Sequence, residues 1–321
     1  MFELGIHIDG LPRAYPRFEA LFDPDKEIKN ADNQYVNMKG KNTGVTPFVE
    51  SNFLEVLIPS FLGAEIHAAP GGYMDVRPIF KDIYETEKIK EIDIFSGEME
   101  RAIKHHEYIK KNAPDYLYVN PTRIMSPLDY GVVLMGSEFY SSLIEEPELC
   151  CELMEKLTDA AISALLELKK VVGQPKNETI TPQGYIYEGI RLTGDAVVNL
   201  SPNMIKDLIC PFYKKFKAAF GNVMLHYCTR PANSTHVIKA LCEGGGVDWV
   251  DNNWHGIDSL LTSGDYEKTE CMNACVSMTN EEILGGEMQK HPFLNTKRQV
   301  IVSTRCKNMA EAELLMKGAG S

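Results

Sequence analysis

Apolar residues fall along this chain in two rhythms. Between Pro147 and Lys170, Leu149, Leu153, Leu157, Ala161, Leu165 and Leu168 recur every three or four positions, which places them on one stripe of a helix. Lys169 and Lys170 suit its carboxyl end, where the helix dipole favours cations. The same spacing predicts helices over 50–66, 94–111, 234–242, 280–290 and 309–317, and one from Ser201-Pro202 to Phe220 with proline in its first turn. Other apolar runs are short and rich in valine and isoleucine: Tyr116 to Asn120, Val223 to His226, Val247 to Val250, Cys271 to Cys275 and Gln299 to Thr304. These read as buried strands. Strands alternating with helices predict parallel βα units and one closed α/β barrel. The first fifty residues are broken by Gly10-Leu11-Pro12, Tyr15-Pro16, Asp23-Pro24 and Lys39-Gly40, and read as an irregular arm over the core.

Polar residues collect where the strands run out. Val223-Met224-Leu225 leads into His226-Tyr227-Cys228, and alternate residues of a strand share a face, so an imidazole and a thiol stand together at a strand end. Val300-Ile301-Val302-Ser303-Thr304-Arg305-Cys306 has the same form. If both strands finish on one edge, His226, Cys228 and Cys306 offer zinc one nitrogen and two sulfurs, with a fourth position left open. Cys271 and Cys275 are an alternative pair for Cys228. Tyr227 then points to the opposite face, into the packing behind the wall. Asn252, Asn253, His255 and Asp258 follow the strand ending near Val250 and read as substrate contacts or as turn formers. His105-His106, among Lys104, Glu107, Lys110 and Lys111, reads as a solvated helix face, and Gly244-Gly245-Gly246 as a turn.

Composition removes several classes of function. A net charge of −12 leaves no basic excess for nucleic acid. No apolar run approaches the ~20 residues of a membrane span, and no secretory leader is visible. The eight cysteines are then expected as reduced, cytoplasmic thiols. Cys150, Cys151, Cys210 and Cys242 fall in predicted helices and read as packing.

Glu188-Gly189-Ile190-Arg191-Leu192-Thr193-Gly194-Asp195, with Asn199-Leu200-Ser201-Pro202 and Pro211-Phe212-Tyr213, resembles the central block of the uroporphyrinogen decarboxylase superfamily. That block also leads into a strand ending in histidine, and Asp75-Val76-Arg77-Pro78-Ile79-Phe80-Lys81-Asp82 resembles an earlier segment. The likeness runs from about Pro47 onward. It implies a (β/α)8 TIM barrel over 47–321, with 1–46 as an N-terminal arm packed on it. The decarboxylase branch uses an arginine-rich amino-terminal stretch, poorly matched by Leu11-Pro12-Arg13-Ala14-Tyr15-Pro16-Arg17.

The zinc-dependent methyltransferase branch carries His-x-Cys and a distant Cys, which fall on His226, Cys228 and Cys306. The resemblance implies a corrinoid (cobalamin) supplied by a partner protein and an acidic group near the metal, for which Asp251 is the candidate and Asp248 the reserve. Arg77 and Arg191 lie in the resembling blocks and become candidates for binding an anionic group. The expected activity is methyl transfer between a small substrate (a thiol, methylamine, methanol or methoxylated compound) and the corrinoid cobalt, in an enzyme that pairs as a homodimer. The rival readings are a decarboxylase or lyase with an arginine clamp, and a corrinoid- or ligand-binding protein without turnover.

Overall fold

The computed structural model describes residues 2–8, 13–20, 22–36, 45–51, 53, 55–69, 73–182, 184–228, 234–252, 273–286, 300–306 and 309–319. Its strands are β1 (Phe2–Ile8), β2 (Phe48–Glu50), β3 (Tyr118–Asn120), β4 (Ile124–Met125), β5 (Ile190–Thr193), β6 (Val223–Tyr227), β7 (Trp249–Asn252), β8 (Asn273–Ser277) and β9 (Val300–Cys306), with short hairpins over 66–76 and 179–187. Seven of them form one parallel sheet in the order β1-β9-β8-β7-β6-β5-β4. β2 pairs in parallel with β3, and β3 leads directly into β4. First strand beside last, and the rest in chain order, is the succession of a barrel. Among the described residues no ladder joins β1 to β2 or β3 to β4, so the fold is barrel-like and its closure is not hydrogen-bonded at these two seams.

The amino-terminal stretch differs from the irregular arm that its turn residues predict. Phe2 to Ile8 is a strand of the main sheet, in register from Phe2↔Val300 to Ile8↔Cys306. Its alternation of Phe2, Leu4, Ile6 and Ile8 with Glu3, Gly5 and His7 is the period-two pattern of a strand. A helix follows at Pro24–Tyr35, capped by the Asp23 carboxylate, which accepts from the Lys26 N–H. Its Ile28 and Ala31 pack with Val49, Ile109 and Leu117.

The long helix spans Pro147–Val172 and ends on Gly173, whose φ of 73° is the left-handed turn glycine adopts readily. The helix predicted over 50–66 is only Leu57–Ser60, after which the Phe61 and Leu62 N–H groups bond three residues back, to the Ile58 and Pro59 carbonyls. Between Ser201 and Phe220 the helix widens over Ile205–Ile209, where the Cys210 N–H bonds to the Ile205 carbonyl. Pro211 explains the widening: it offers no N–H to the carbonyl of Asp207, so one turn slips to the longer i→i+5 pattern.

His105 and His106 are buried instead of solvated. Helix Met99–Asn112 turns them toward Glu27 and Ser51: His105 Nε2 lies 2.7 Å from Glu27 Oε2, and His106 Nε2 lies 2.7 Å from Ser51 Oγ. Burial pushes the Glu27 carboxyl well up and the His105 imidazole down to about 4, disfavouring the charged form of each. His106 Nδ1 donates to the Ala102 carbonyl at 2.6 Å, and burial lowers its pKa to about 4. Unfolded, that imidazole titrates near 6.5. The unfolded chain therefore takes up the proton first, and stability is intact above 6.5 and lost as pH falls toward 4. The shift from 6.5 to about 4 corresponds to about 3 kcal/mol. Urea denaturation at pH 7 and 4.5 should show a smaller pH-dependent loss in His106→Gln than in the native chain; equal losses would exclude this residue as the source.

Candidate metal centre

Register sorts the residues of β5, β6 and β7 onto two faces. Ile190, Leu192, Val223, Leu225, Tyr227 and Val250 join the apolar core formed with the helices, and Tyr227 is fully buried there. On the other face Met224 stands beside Arg191 and Trp249, and His226 beside Thr193 and Asp251. Met224 and Trp249 form a small cluster with Tyr185 and Tyr187. Above this apolar floor, at the carboxyl ends of the strands, the polar groups begin.

Ligand atoms of Asp195, His226 and Cys228 lie within 4.8 Å of one another. His226 Nε2 and Cys228 Sγ are 3.5 Å apart. Zinc bonds of about 2.0–2.3 Å in a tetrahedron require ligand-to-ligand edges of about 3.5 Å, so this pair is spaced as two corners of one shell. The Cys228 backbone N–H donates to Asp195 Oδ1 at 2.6 Å, fixing the carboxylate against the strand end. A nitrogen, a sulfur and a carboxylate oxygen form a donor set that suits zinc.

His226 is held from behind. Its Nδ1 donates to the Asp251 carbonyl at 2.7 Å and lies 3.3 Å from Asp251 Oδ2. With the proton on Nδ1, Nε2 is the atom left for a metal. Arg191 donates to the same Oδ2 from Nε at 2.9 Å and Nη2 at 2.7 Å. Burial raises the Asp251 pKa, but Arg191 and His226 outweigh it and hold the carboxyl below the usual range. Burial likewise pulls His226 down, and its hydrogen bonds to Asp251 and Cys228 overcome this and raise it to about 9. A metal arriving at Nε2 at neutral pH therefore displaces a proton.

Gly194 makes room for the Asp195 loop. A Cβ there would meet Leu225 Cδ1 at 2.8 Å, while its N–H bonds to the His226 carbonyl at 2.8 Å. Beneath it, Asp129 is buried, its Oδ1 accepting from the Ala196 N–H at 3.0 Å and its Oδ2 from Ser126 Oγ at 2.5 Å. Burial pushes its carboxyl up to about 7.

Two of the three predicted ligands thus converge, and the third converging group is Asp195, the last residue of the Glu188–Asp195 segment. Cys306 is buried at the last position of β9 and does not belong to this cluster. Two strands, β7 and β8, separate β9 from β6. Asp251 sits behind His226 as its hydrogen-bond partner and is not a member of the cluster. Asp248 precedes β7 at the opposite edge, where it pairs with Lys217 and accepts from the Val223 N–H. Arg191 spends two donors on Asp251, and Arg77 is exposed beyond the 66–76 hairpin. Asn252 ends β7 opposite Tyr227. Cys275 pairs in register with Asp251 and Ile301. Asn253, His255, Asp258 and Cys271 lie outside the described residues.

No family model matches the chain. No curated protein sequence matches it either. Among solved structures, a methyltransferase from Methanosarcina mazei matches 99% of this chain and 93% of its own, with a TM-score of 0.65 at 13% identity. The two chains share a fold. No described helix is long and apolar enough to cross a membrane.

Proposed function

We propose that this chain is a zinc-dependent methyltransferase that moves a methyl group between a small substrate and the cobalt of a corrinoid carried by a partner protein. The observation that carries this reading is the convergence of His226 Nε2, Cys228 Sγ and the Asp195 carboxylate at the carboxyl edge of a parallel, barrel-like sheet. The likeness in fold to a methyltransferase supports it. His226 and Cys228 are the proposed nitrogen and sulfur ligands, and Asp195 replaces Asp251 as the acidic group nearest the metal; Cys306, the second sulfur that the sequence offers, lies outside this convergence and is tested by its own variant. Asp251 and Arg191 keep the imidazole turned so that Nε2 faces the cluster. In such a shell zinc supplies the acidity that deprotonates a thiol at neutral pH or polarises an oxygen or nitrogen leaving group.

A decarboxylase with an arginine clamp has less support, because the Arg191 guanidinium is already paired with Asp251. Elemental analysis of anaerobically purified chain should return about one zinc per polypeptide, as one tetrahedral site requires. The loaded protein should demethylate methylcobalamin with one member of a panel of small thiols, or methylate Co(I) cobalamin from methanol, methylamines or methoxylated aromatics. Absence of metal after reconstitution would overturn the zinc reading; metal without methyl transfer in either direction would overturn the activity.

A further inference from the structure

We propose that Asp129 is a positioning residue of the metal centre, acting on the metal only through Asp195. This rests on the metal reading above. Asp195 opens a short 3-10 turn, Asp195–Asn199, that follows β5 directly. Its carboxylate reaches His226 and Cys228 only if the backbone at 194–196 stays seated between β6 and the helix Pro127–Met135. The β6 side is fixed by two contacts: the Gly194 N–H on the His226 carbonyl at 2.8 Å, and the Cys228 N–H on Asp195 Oδ1 at 2.6 Å.

The other side is fixed by Asp129. Its Oδ1 takes the Ala196 N–H at 3.0 Å, a donor that the start of a helical turn otherwise leaves unsatisfied. Ser126 Oγ holds Oδ2, and the Ser126 backbone N–H bonds to the Thr193 carbonyl at 2.7 Å, so the anchor is tied to the strand whose end it secures. A buried carboxylate accepting a backbone N–H and a hydroxyl is a strong, directional brace. Asp129 is itself outside the converging group of donors, so it is assigned to holding Asp195 and not to ligating the metal. Gly194 is the weak point the brace must offset: it has no side chain with which to pack the loop, and a Cβ would strike Leu225 and approach Ser126.

The test is a thermodynamic cycle read by Co2+ binding, with no turnover involved. Native chain, Asp129→Ala, Asp195→Ala and the double variant are titrated with Co2+, following the sulfur-to-cobalt charge-transfer and d–d bands. Loss of an outer partner typically weakens metal binding about 10–100-fold, and a loss of that size is expected for Asp129→Ala. In the Asp195→Ala background the Asp129 change should produce no further loss, because the brace then has nothing to aim. Multiplying losses, or native affinity in Asp129→Ala, would overturn the proposal and leave the metal reading intact. A native chain that takes up no Co2+ would overturn the metal reading itself. Should Asp129→Ala fail to fold, Asp129→Asn keeps one acceptor for the Ala196 N–H and is carried through the same cycle; a partial loss that vanishes without Asp195 supports the brace, and any loss that persists overturns it.

Discussion

Replacing Cys228 by alanine removes the bound zinc and with it methyl transfer. The sulfur stands 3.5 Å from His226 Nε2, and among the described residues no other cysteine belongs to the cluster of donors. Removing one soft donor from a small protein zinc shell should weaken zinc by at least about a hundredfold, and activity should fall in proportion. His226→Ala should do the same. Cys306→Ser discriminates further: if the buried thiol at the end of β9 completes the shell, zinc affinity falls by about tenfold or more, whereas native affinity would return Cys306 to the apolar core.

The native site should also bind zinc more tightly as pH rises toward 9, because His226, raised to about 9, must shed its proton from Nε2 before it can ligate. Competitive titration with a chromophoric chelator between pH 6 and 9 measures this directly. Because every protonated ligand gives such a dependence, His226→Ala is titrated alongside, and an equal slope in that variant would exclude His226 as its source.

The strands that carry the centre could be read from the sequence because each is a short, mainly apolar run that ends in polar residues. β6, β7 and β9 fall within two or three residues of expectation, and the period of two placed Tyr227 in the core and His226 on the other face. Pairing across strands is a different kind of information. Nothing local to Asp251 says that its carboxylate turns toward Arg191 and the back of His226, since that depends on the register His226↔Asp251 and Met224↔Arg191. Asp195 was hidden for the same reason. It lies two residues past Thr193, the β5 neighbour of His226, and only the parallel register brings it level with Cys228. β1 escaped because glycine and proline from position 10 onward dominate the local reading, although Phe2, Leu4, Ile6 and Ile8 alternate as a strand should. His105 and His106 were misread because a charged helix looks solvated until Pro24–Tyr35 is laid across it.

The buried pair beneath the metal centre carries the second large effect. Arg191 and Asp251 side chains are 3% and 6% exposed, so neither charge is compensated by solvent if the other is removed. Arg191→Leu should destabilise the chain by up to about 3–5 kcal/mol, the usual result of breaking a buried ion pair, with the His226 imidazole 3.3 Å from Asp251 Oδ2 offsetting part of the loss. Asp251→Leu should cost a similar amount, and the double variant much less than the sum, because two apolar side chains replace a pair whose desolvation penalty offsets much of its attraction. Urea denaturation of the metal-free proteins measures all three. Equal and additive losses would show that the two residues contribute by packing alone. The metal separates structural from functional roles in the same set. Restored stability in the double variant should not restore zinc affinity, because the Asp251 carboxylate no longer stands beside His226 Nδ1, and loss of such a partner typically weakens a metal about 10–100-fold. A double variant with native zinc affinity would mean that the backbone carbonyl of Asp251, 2.7 Å from Nδ1, orients the imidazole unaided.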